Sequence, residues 1–152
     1  MVTDNKNFLS TLNFKFKLDT NQYPNLEYFC IGANLPGITI SPAEARYKKF
    51  GFAFGSDSVA YDDLTLRFNV TESLENYIET YNWIKSIVDT ENVYTCDAVL
   101  HILSSHNNVV KEVKFFDIFP ISLSSIEFNA QGTAVEFAQA DVTFRYTKYE
   151  IL

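Results

Sequence analysis

Leu12, Phe14, Phe16 and Leu18 alternate with Asn13, Lys15 and Lys17, the period of a strand with one wet and one buried face. After a turn over 19–25, residues 26–32 form a more continuously apolar strand, which Asn34-Leu35-Pro36-Gly37 ends. Pro removes a ladder donor there, and Gly permits positive φ. Residues 46–54 alternate loosely, with Phe50, Phe52 and Phe54 on one side, before Gly55-Ser56-Asp57-Ser58 supplies turn residues. Residues 36–61 therefore read as a long hairpin, with a projecting segment at about 38–61.

Leu64, Leu66, Phe68 and Val70 alternate with Thr65, Arg67 and Asn69, which makes a central strand. It leads into a helix at about 73–88, where Leu74, Tyr77, Ile78, Tyr81, Ile84, Ile87 and Val88 fall on one helical face. Thr71 or Ser73 is placed to cap its start. Glu72, Glu75 and Glu79 lie near the positive end of its dipole and Lys85 near the negative end. Strand patterns return at 96–103 and 109–116 around a polar turn at 104–108, a natural hairpin. Phe119-Pro120 breaks the line, and 123–128 resumes it. After a turn at 129–133, a long strand over 135–149 alternates Val142, Phe144 and Tyr146 with Asp141, Thr143, Arg145 and Thr147. Many short strands with one helix predict a mainly β fold, an antiparallel β-sandwich or barrel with one flanking α-helix. No repeat or linker interrupts residues 1–152, so a single domain is expected.

Composition sharpens that picture. The 152 residues include 14 Phe and 9 Tyr against 5 Gly and 4 Pro, a balance that favours half-buried strands. Nineteen carboxylates against 12 Lys and Arg give a net charge of -7, the wrong sign for a nucleic-acid clamp. Eight of the carboxylates, with only two cations, lie in residues 62–108, so the middle of the chain carries most of the field. No apolar run is long enough for a membrane-spanning helix. The polar, mixed-charge start lacks the pattern of a secretory signal, and the expectation is a cytosolic chain with two free, buried thiols, Cys30 and Cys96.

Candidate chemistry is sparse. The Gly-x-Ser-x-Gly elbow is absent. His101 sits mid-strand and His106 in the following turn, neither with a partner at zinc-ligand spacing. Asp57, Asp62, Asp63, Glu72 and Glu75 do not follow a calcium-loop pattern, and no Gly-rich phosphate loop occurs. No catalytic, cofactor or metal site is expected. The one basic cluster is Arg46, Lys48 and Lys49, interleaved with Tyr47, Phe50 and Phe52 in the projecting segment. Two readings stand side by side: a solvated edge defended by Lys, or a protein interface that docks on acidic residues Asp57, Asp62, Asp63, Glu72 and Glu75 of a neighbouring copy.

Taken in order, several pieces resemble the tail tube protein family of contractile-tailed bacteriophages. They are Pro24-Asn25-Leu26 leading into a strand, Ala33-Asn34-Leu35-Pro36-Gly37 after it, and Tyr61-Asp62-Asp63-Leu64-Thr65-Leu66-Arg67-Phe68 running into a helix that contains Trp83. Phe116-Asp117-Ile118-Phe119-Pro120 and the closing Ala140-Asp141-Val142-Thr143-Phe144-Arg145-Tyr146 complete the series. The resemblance implies a structural virion protein without catalysis. Six copies would close into rings, and rings would stack into a tube inside the sheath and on the baseplate. Genome DNA would pass through the lumen. It implies assembly in the host cytoplasm and residence in the virion tail. Tube-initiating baseplate proteins and tube-end proteins share the domain and remain alternatives. A rival from another class is a small carbohydrate- or ligand-binding β-domain that uses Tyr23, Tyr47 and Tyr94 as stacking platforms.

Overall fold

A computed structural model describes residues 7–18, 23–24, 29–47, 50–90, 95–132 and 136–152, with backbone alone at 41–47 and 50–57. The strands are β1 (Phe14–Leu18), β2 (Cys30–Ala33), β3 (Ile38–Tyr47), β4 (Phe50–Tyr61), β5 (Leu64–Asn69), β6 (Cys96–Leu103), β7 (Val109–Leu123), β8 (Gln139–Arg145) and β9 (Lys148–Ile151). Helix α1 (Glu75–Thr90) lies between β5 and β6.

Two antiparallel sheets share one long strand. The first half of β7 pairs with β6, and through it β1, with β9 on its other edge. Its second half pairs with β8, followed by β5 and β2. The strand turns from one sheet to the other at Asp117, whose φ is 56°. One extra residue on β7 is accommodated here, between the Ala98–Phe115 and Cys96–Ile118 pairs. Such a bulge bends a strand and lets it pass between sheets. The Asp97 carboxylate holds the corner by accepting the Asp117 N–H at 3.1 Å, and the Thr147 N–H bonds to the Phe116 carbonyl at 2.9 Å.

The bend explains three differences from the sequence pattern. β7 runs through Phe119-Pro120 because Pro120 lies past β6, where the ladder to β8 slips between Pro120 and Ser122. An edge with a bulge tolerates a missing N–H. The long closing strand expected at 135–149 is instead β8 and β9, because its partner bends and divides it at Tyr146-Thr147. Residues 124–128 leave the ladder: Ser124 Oγ accepts the Asp141 N–H at 2.8 Å, and the Ser124 carbonyl takes the Tyr77 hydroxyl. A fourth difference lies at 55–58, where β4 continues and residues 56–58 stand opposite Ser41 as a bulge, not a turn.

The core follows the strand alternation. Phe16 and Leu18 of β1, Leu64, Leu66 and Phe68 of β5, Val113, Phe115 and Ile118 of β7, and Val142 and Phe144 of β8 are all buried. Burial of this much Phe and Leu, at roughly 25 cal/mol per Å² of apolar surface, is the main stabilising term. Helix α1 covers one side through Trp83, which meets Phe144 at 5.6 Å between ring centroids and stacks on Tyr23 at 4.2 Å.

The helix does not bury the face that the apolar spacing predicts. Asn76, Thr80 and Trp83 are buried, Ile87 is half-buried against the core, and Ile78, Tyr81 and Val88 are exposed. Hydrogen bonds make the polar choice possible. The Asn76 amide donates to the Asn69 carbonyl and accepts from the Thr71 N–H, while the Thr80 hydroxyl donates to the Asn76 carbonyl. Thr71 caps the start by accepting the Glu75 N–H at 3.0 Å.

Candidate subunit interface

Strands β3 and β4 form a two-stranded sheet of their own, apart from the seven strands joined through β7. A ten-residue strand is about 33 Å long, so this ribbon matches the width of a small domain. Isolated two-stranded ribbons are marginal in water, which makes the root by which it is attached important.

That root is built by tyrosines. Tyr149 donates its hydroxyl to the Pro36 carbonyl just before β3, and Tyr146 donates to the Asp62 carbonyl just after β4, both at 2.7 Å. Their rings pack with Tyr61 and Phe115: Tyr61 lies 5.3 Å from Tyr149, and Phe115 lies 5.1 Å from Tyr146. The Asp62 N–H bonds to the Gly37 carbonyl at 3.0 Å, and Arg145 pairs with Asp63 at 3.2 Å. Burial, then neighbouring Tyr149 and Asp62, raise the Tyr146 hydroxyl above its ordinary pKa. It therefore stays a neutral donor at physiological pH. The sequence marks Tyr146 only as an alternating position of the closing strand and gives Tyr149 no role, although half-buried Tyr hydroxyls need partners and so mark anchors.

The predicted interface residues divide accordingly. Lys48 and Lys49 lie outside the described residues, as do the side chains of Arg46, Tyr47, Phe50, Phe52 and Asp57. Backbone register nevertheless places Arg46 opposite Gly51, Tyr47 opposite Phe50 and Ala45 opposite Phe52, at the end of the ribbon far from the root. Asp62 and Asp63 sit at the root itself. Asp62 is exposed, and Asp63 is engaged by Arg145 of its own chain. The ribbon thus separates the Arg46 backbone from these two carboxylates by most of its length.

Near the root the ribbon shows apolar side chains to water, with Ile38, Ile40 and Val59 exposed. A second apolar exposure runs along α1 through Leu74, Ile78, Tyr81 and Val88. Glu72 and Glu75 border its start, and Lys85 near its end pairs with Asp89 at 3.9 Å.

Groups with reactive potential are otherwise restrained. Burial pushes the Cys30 thiol up to about 11, which keeps it protonated, and both cysteines are half-buried and outside any disulfide. His101 is a strand residue with Nδ1 3.4 Å from a Glu112 oxygen. Among the described residues no group of three His, Cys, Asp or Glu is arranged to hold a metal. Of the proposed stacking platforms, Tyr23 is already stacked on Trp83, the Tyr47 side chain and Tyr94 lie outside the described residues.

The comparisons agree on one class of protein. A family model described as phage tail tube protein matches residues 5–152. A chain of the PVC sheath–tube complex, an extracellular contractile injection system in its extended state, superposes with a TM-score of 0.78. It shares 17% identity over 97% of this chain and 93% of that one. The tube-terminating cap of the anti-feeding prophage gives 0.77 at 19% identity, with 100% and 95% covered. Hcp1 from Flavobacterium johnsoniae gives 0.51 at 12% identity, with 91% and 94% covered. These likenesses show a common fold. No curated protein sequence matches the chain.

Proposed function

The chain belongs to the phage tail tube protein family, and from that premise we propose that it is the repeating subunit of a tail tube, closing into six-membered rings that stack. The observation that carries this reading is the family match across residues 5–152 on a fold with two antiparallel sheets and one flanking helix. The edges at β1 and β2, which have no second strand beside them among the described residues, support ring closure, because head-to-tail contacts that return on themselves cover sheet edges. The net charge of -7 suits a lumen wall along which DNA slides without being gripped. A sheath around the tube and a baseplate below it are the partners expected of such a subunit, which would assemble in the host cytoplasm and remain in the virion tail. The ribbon of residues 38–61 supplies contacts between subunits, chiefly between stacked rings.

Concentrating the purified chain and imaging it in negative stain tests the proposal. Rods of indefinite length are expected. Single rings that never stack would indicate a tube-end role instead, and a monomer at every concentration would overturn the assignment.

A further inference from the structure

We infer that Tyr146 and Tyr149 are positioning residues: their hydroxyls lock a joint within one long hairpin and so fix the direction in which the ribbon leaves the subunit. The consequence for assembly rests on the tube-subunit reading, whereas the joint itself does not.

Register reveals the joint. Ala33 stands opposite Leu66 in the β2–β5 pair, and Ile38 stands opposite Tyr61 in the ribbon. Counting inward from either pair sets Pro36 against Asp63, so the two ladders share one register and the ribbon prolongs β2 and β5. Between them the regular ladder fails. Pro36 has no N–H to give, and the Asp63 carbonyl accepts instead from the Asn34 side-chain amide at 3.2 Å. The Thr65 N–H likewise bonds to the Asn34 side-chain oxygen, at 2.6 Å. The Asp62 N–H reaches the Gly37 carbonyl at 3.0 Å, and a Cβ at Gly37 would stand 3.0 Å from an Asp62 carboxylate oxygen. A hairpin interrupted in this way lacks the regular pairing that would stiffen it, and the ribbon beyond can swing there.

The lock acts from the side. Pro36 and Asp62 lie on opposite arms of the joint, and their carbonyls accept the Tyr149 and Tyr146 hydroxyls at 2.7 Å each. Both tyrosines come from the corner between β8 and β9, so both arms are tied to one place. That place is fastened to the core. Tyr146 and Tyr149 pack on the buried Phe115 at 5.1 and 5.5 Å between ring centroids, and Thr147 between them donates its N–H to the Phe116 carbonyl. Ring packing tolerates small rotations, whereas a hydrogen bond weakens steeply once its angle is lost. Two such bonds on opposite arms therefore set a direction that the rings alone do not. A swinging ribbon would meet its partner correctly only in the fraction of molecules that point the right way, and apparent affinity falls by that fraction. Holding the ribbon in place beforehand removes the loss.

The test is Tyr146→Phe with Tyr149→Phe in the full chain, which removes both hydroxyls and keeps every ring. Residual dipolar couplings of backbone amides in the dissociated subunit read direction. In the unaltered chain the couplings of β3 and β4 should fit the same alignment as those of β5 and β8. In the double variant the ribbon's couplings should shrink by roughly twofold or more while those of β5 and β8 hold, and the concentration at which rods appear in negative stain should rise by roughly three- to tenfold. Hydroxyls that only stabilise would lower the melting temperature and leave the ribbon in the common alignment, a result that overturns the assignment. Rods at the unaltered concentration from a loosened ribbon would overturn its part in assembly. Tyr146→Phe and Tyr149→Phe singly each free one arm, and they decide the matter by the same couplings if the double variant does not fold. If the unaltered chain forms no rings or rods, the tube reading itself falls, and the couplings still confirm or overturn the joint.

Discussion

Strand β5 and helix α1 are neighbours in the chain and both interleave apolar with polar residues, yet they use their apolar residues in opposite ways. β5 turns every one of Leu64, Leu66 and Phe68 inward to complete burial. α1 turns Asn76 and Thr80 inward and shows Ile78, Tyr81 and Val88 to solvent. Strand faces lie about 180° apart, so a single apolar set has one place to go. A helix presents a continuous cylinder, and its broad apolar arc offers two edges. Here Trp83 and the Asn76 network select one edge, and the other stays in solvent.

The largest expected effect lies on the strand side. Phe68→Ala removes a ring with 0% exposure between β2 and β8, and a cavity of that kind costs about 3–5 kcal/mol. Urea denaturation of the dissociated subunit should show it. A loss below about 1 kcal/mol would mean that the sheets repack and that the inward face of β5 is less specified than its alternation implies.

A smaller effect should mark the polar edge of the helix. Asn76→Ala removes the partner of the Asn69 carbonyl and the Thr71 N–H, both part-buried, and a buried polar group left unpaired costs about 1–3 kcal/mol, the upper limit for each here. If Asn76→Leu matched the stability of the unaltered chain, apolar contact alone would suffice on this face. The comparison with β5 would then lose its point.

The same contrast separates what could be read from the sequence from what could not. β1, β5, the β6–β7 hairpin and the presence of α1 follow from local periodicity, which tertiary packing left in force. The course of β7 through Pro120, the division of β8 from β9 and the path of β4 through 55–58 depend on pairing across the sheet. Asp117 controls the first two. An Asp tolerates positive φ better than most residues, but nothing nearby in sequence says that a strand should change sheets there. For the ribbon, the basic residues at 46–49 are legible as composition, whereas the anchoring role of Tyr146 and Tyr149 is concealed in the closing strand. Their importance comes from Pro36 and Asp62, distant carbonyls that only the fold brings to them.

The smallest expected effect isolates the choice of helix edge. Ile78 and Ile87 are the same residue type on the same helix, so Ile→Ser at either site carries the same change in intrinsic helix propensity. The difference between the two variants therefore measures burial. Ile87 packs half-buried against the core cluster, whereas Ile78 is 45% exposed. Ile87→Ser should cost the dissociated subunit about 1–3 kcal/mol, and Ile78→Ser no more than about 0.5–1 kcal/mol. Thermal unfolding of the two under conditions that prevent assembly gives the comparison directly. Equal losses would place both residues at the boundary of one broad buried face, and a larger loss for Ile78→Ser would rotate the helix back toward the face its apolar spacing first marks out. The expected order leaves Ile78 with little work inside its own subunit.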